Sequence, residues 1–156
     1  MAWHVFHGLL HPHPDFPAYD VARWIRGALV QPVVLTAEQQ TKHFALSFHE
    51  LLTRWQTLPH ALIEPDGSFG WSAKAGASRG WQRPSRISGV FYEREDSLYY
   101  AEFFGEAVTE ELAHWLKDVG LSDDQVIVQL PELGLFVTWG DFLKVTATDD
   151  AAQAER

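Results

Sequence analysis

The chain contains no cysteine. That absence excludes a disulfide framework, a thiolate zinc site, an iron–sulfur cluster and a cysteine nucleophile. Long apolar runs are also missing. The longest weakly polar stretch, Gly27 to Ala37, is broken by Gln31 and Pro32 and falls well short of the ~20 residues a membrane-spanning helix needs. The opening residues, Met1 to Leu10, have neither a basic n-region nor an uninterrupted apolar h-region. Positive charge is scarce, with 12 Lys and Arg against 21 Asp and Glu for a formal net charge of −9. A field of that sign repels polyanions, so neither general nucleic-acid binding nor membrane binding is expected. A cytoplasmic location is the expectation these absences leave.

What is present is ordinary globular composition with a high aromatic load. The 156 residues are 46% hydrophobic and include seven Trp and ten Phe, enough for one domain with a core that needs no covalent staples. We expect a single domain over residues 1–145. A flexible acidic tail over 146–156 follows, carrying Asp149 and Asp150.

Periodicity gives the elements. Residues Trp3 to Leu10 read equally as strand or helix. Val21, Ile25, Ala28 and Leu29 recur at helical spacing and predict a helix near 18–30, stopped by Pro32. Val33 to Leu35 fit a short buried strand. Thr36 with Gln39 forms a capping-box pattern. From there Phe44, Phe48, Leu51, Trp55 and Leu58 predict a long amphipathic helix over about 37–58. Beyond Pro59 the period changes to two. Hairpins are expected at 61–71 around Pro65-Asp66-Gly67, at 87–104 around Glu95-Asp96, and at 126–138. A helix over 109–119 interrupts them, ended by Gly120, and Thr138 with Asp141 predicts a closing helical turn. The expected class is therefore α+β: an antiparallel sheet built from hairpins in the C-terminal two-thirds, packed against the long helix.

Four features could carry chemistry. His4, His7, His11 and His13 cluster at the start. On a helix His4, His7 and His11 would share a face and could ligate zinc, nickel or copper. Secondly, no acidic residue lies between Asp66 and Glu93, where Lys74, Arg79, Arg83 and Arg86 give a local +4 and leave −13 for the rest. Trp71 and Trp81 alternate with these cations, and guanidinium forks beside indole faces suit an anionic ligand. Thirdly, Gly76 to Gly80 matches G-x-S-x-G around Ser78, but the flanking residues supply neither the strand nor the helix a nucleophile elbow requires. Fourthly, a two-residue Glu95-Asp96 loop would set Glu102 opposite Gly89 among aromatic side chains. Desolvation there would favour a general-acid carboxyl.

The leading functional expectation is a small binding or interaction domain. Its Gly-rich segment at about 70–86 would meet a protein partner or a small anionic ligand, and the acidic remainder could cap a basic partner. The alternative is a metal-dependent or acid–base enzyme using the N-terminal histidines, or Glu102 with Arg86. A homodimer formed through exposed aromatics is a third possibility.

Overall fold

The computed structural model describes residues 2–73 and 84–148. In chain order the elements are β1 (Trp3–Pro12), β2 (Ala18–Tyr19), β3 (Arg23–Ile25), β4 (Ala28–Val30), β5 (Val33–Val34), α1 (Ala37–Gln40) and α2 (Phe48–Gln56). They continue as β6 (Ala61–Ile63), β7 (Ser68–Ser72), β8 (Arg86–Arg94), β9 (Ser97–Val108), α3 (Thr109–Val119), β10 (Val126–Leu130), β11 (Leu135–Thr138), α4 (Trp139–Thr146) and β12 (Ala147–Thr148). The class is α+β, an antiparallel sheet packed against several helices.

The sheet runs β2-β5-β11-β10-β1-β9-β8-β7-β6, with β12 added to β1. Strand β1 lies at its centre, with its even positions from His4 to Leu10 all buried. Phe6, Gly8 and Leu10 face the core, while Val5, His7 and His11 face the other way. On the core side sit Leu51 and Trp55 of α2, Leu112 and Trp115 of α3, and Phe142 and Val145 of α4. Phe103 is the hub. Its ring stacks on Trp115 at 4.8 Å, and the residues opposite it on both neighbouring strands are glycines, Gly8 and Gly89. That pattern leaves room for one large ring in a densely packed layer.

Locally coded elements appear where the sequence placed them. Helix α3 spans Thr109–Val119 with Leu112, Trp115, Leu116 and Val119 buried, and Gly120 takes the left-handed conformation at φ 101°. Thr138 caps α4, and the three expected hairpins form.

Three expectations are corrected. The long helix over 37–58 is two short helices, because the chain between them is pulled into extended contact with β9. Phe44 N–H donates to the Leu98 carbonyl and Leu98 N–H to that of Leu46, after which Ser47 starts α2 as a fresh N-cap. The helix near 18–30 is instead a β-arm. Arg26 and Gly27 adopt positive φ of 50° and 81°, a reversal that lets β3 pair back on β4. Finally, Glu102 lies opposite Val90 rather than Gly89, since Tyr99 is an extra residue that shifts the β8–β9 register.

Candidate functional site

The register decides which expected residues meet. Strand β1 turns His4 to one face of the sheet and His7 and His11 to the other, so the three imidazoles do not converge. His4 is buried. Its Nδ1 donates to Thr146 Oγ1 at 3.0 Å, since that hydroxyl gives its own proton to the Phe142 carbonyl. Its Nε2 is hydrogen-bonded to Thr109 Oγ1 at 2.8 Å. Among the described residues no group of three His, Cys, Asp or Glu is placed to hold a metal ion.

On the face away from the helices, His7 Nε2 donates to Glu102 Oε2 at 2.9 Å. Around this pair runs a row of rings. Tyr92 stacks on Tyr100 at 4.5 Å, Tyr100 on His11 at 5.7 Å, and Phe136 meets His11 edge-on at 5.5 Å. Burial pushes the Tyr100 phenol above its ordinary range, with Tyr92 and Glu102 adding to the rise. Val5, Tyr92 and Phe104 stay exposed here, so Glu102 sits on a half-open surface and not in a closed pocket. Arg86 shares this face, but it lies opposite Glu106 in the ladder, four residues along β9 from Glu102.

Of the cationic segment, Trp71 and Arg86 are described and turn to opposite faces. Trp71 is buried, and its indole Nε1 donates to Asp118 Oδ2 at 2.9 Å. The same oxygen accepts from His60 Nε2, also at 2.9 Å. Lys74, Arg79, Trp81 and Arg83, with the Ser78 motif, lie outside the described residues.

Sequence reasoning passed over the arm of residues 18–34. It is fixed to the body by the buried side chains of Ile25 and Val30 and by Gln31 N–H donating to Asp141 Oδ2 at 3.1 Å. Its outer face is apolar and open: Trp24 is 71% exposed, and its cross-strand partner Leu29 is 49% exposed. Val21 on the same arm is 79% exposed, and Phe16, just before it, is 87% exposed. The Arg26-Gly27 pair between two short apolar runs was the signal that could have marked a hairpin tip. Trp24 lines a cavity of about 350 Å³ together with Arg23, Ile25, Arg26, Leu133 and Leu135. A second, of about 250 Å³, adjoins it through Arg26 and Leu133 and reaches Val5, Phe6 and His7 of β1.

No protein-family model, curated protein or solved structure matches the chain. Fold and surface together define a small α+β domain, and no helix among the described residues is long and apolar enough to cross a membrane.

Proposed function

We propose that this is a small interaction domain that docks a protein partner through its β-arm. The carrying observation is the exposure of Trp24 on an arm that is itself firmly held. A molecule that buries Trp55, Trp115 and Phe103 completely has the means to bury one more indole. Large apolar side chains left outside such a core mark contact surfaces, and tryptophan is prominent among residues that dominate interfaces. The test is site-specific photo-crosslinking in the producing cells, with the crosslinking amino acid at position 24 or at position 62. Leu62 is the control, equally exposed at the far edge of the sheet on β6. A discrete adduct from position 24 and none from 62 supports the reading; no adduct from either position sinks it.

A second reading has its own observation. The β6–β7 turn, the β8–β9 turn and the start of α2 meet at one end of the molecule, where Gly67 O accepts from Phe91 N–H and Asp96 O accepts from Phe48 N–H. This gathers Glu50, Glu64, Asp66, Glu93, Glu95 and Asp96 into an acidic end suited to capping a basic partner. In that case Glu93→Lys together with Glu95→Lys would slow association with the captured partner, and added salt would slow the parent chain.

A further inference from the structure

Resting on the interaction-domain reading, we infer that the groove from Trp24 to the open edge of β1 receives an extended, acidic segment of the partner protein. Two adjoining cavities form the groove, with Arg26 and Leu133 common to both. The first is lined by Trp24, Ile25, Leu133 and Leu135 beside the two arginines, and its size suits one large apolar side chain. The second opens on β1 where its edge has no strand beside it. Strand β10 pairs with Leu9–Pro12 and β12 with Trp3–His4, so among the described residues Val5–Gly8 is unpaired on that side. An unpaired strand edge offers backbone donors and acceptors to an extended chain. Because the core and Asp141 hold the arm in place, the groove is preformed and little has to be ordered on binding.

Charge selects the partner. The lining of the two cavities carries Arg23 and Arg26 against one carboxylate, Glu132, on a chain of net charge −9. Each guanidinium is paired only at the surface, Arg23 with Asp20 at 3.6 Å and Arg26 with Glu132 at 3.3 Å. Exposed pairs of this kind are weak, so an incoming carboxylate can take either arginine in a two-point contact. A basic segment would meet both arginines with like charge.

The experiment is selection of random linear peptides displayed on phage against the full chain, followed by calorimetry on the synthesised winners at physiological ionic strength. Enriched peptides should combine a large apolar residue with Asp or Glu. Leu133→Asp and Arg26→Glu should each weaken them by roughly tenfold or more with the melting temperature little changed. Basic winners, or affinities indifferent to both substitutions, overturn the inference. So does sedimentation with phosphatidylcholine–phosphatidylserine vesicles that Trp24→Ser abolishes, which would assign the arm to lipid. A dimer in analytical ultracentrifugation that Trp24→Ser dissolves overturns it too, in favour of a second copy. If crosslinking at position 24 succeeds while no acidic peptide class is selected, the interaction-domain reading stands and the extended acidic segment falls.

Discussion

His11 is wedged between the Tyr100 and Phe136 rings, with Nε2 donating to Gln129 Oε1 at 3.0 Å. Burial pushes its imidazole below the ordinary value of 6.5, and the Gln129 contact offsets only part of the shift. The folded state therefore binds fewer protons than the unfolded chain just below that value, so stability falls as the pH drops through 6.5 and levels off beneath the folded pKa. His11→Gln should flatten that part of the profile, read as urea midpoints between about pH 5 and 7. Asp118 offers a second test. One of its oxygens holds the indole of Trp71 and the imidazole of His60, whose side chain is only 6% exposed. Asp118→Ala would leave two donors without an acceptor and should cost about 2–4 kcal/mol by chemical denaturation. Asp118→Asn keeps an oxygen in place and should cost less.

The β8–β9 turn shows how one element is made by another. Glu95 and Asp96 both hold positive φ, 53° and 60°, where L-residues are strained. Asp96 is retained there because it caps α2: Oδ1 accepts from His49 N–H and Oδ2 from Ser47 Oγ. Glu95 has no such role among these bonds. We expect Glu95→Gly to be neutral or stabilising by up to about 1 kcal/mol, and Asp96→Ala to cost about 1–2 kcal/mol, both measured as urea midpoints. This turn also explains what could be read from the chain. Elements fixed by their own residues were legible, as with Leu112, Trp115, Leu116 and Val119 of α3. Elements fixed by distant partners were not. Phe44 carries a helical spacing to Phe48, yet it leaves the helix to pair with Leu98. Ile25 and Ala28 sit at a helical interval and are in fact opposite each other across a hairpin. At the sites, Glu102 and His7 each stood out, but their pairing did not, because the two lie 95 residues apart in sequence. Trp24 was hidden by the helix expected around it.

At the scale of the molecule the core is organised around one ring with glycine on either side. A Cβ added to Gly8 would lie 2.7 Å from Val128 Cγ1 and 3.2 Å from the Phe103 ring. Gly8→Ala should therefore destabilise by about 1–3 kcal/mol through overpacking, seen as a lower denaturant midpoint with an unchanged slope. The central position of β1 has a further consequence. It is synthesised well before its partners β9, β10 and β12, which come from residues 97–148. The strand on which the sheet is built must wait, unpaired, until those residues exist. Folding governed by such distant pairings belongs to the slow, millisecond-to-second range. During that wait Phe6 and Leu10, with β1's two bare edges, are the surface that a nascent-chain chaperone would find.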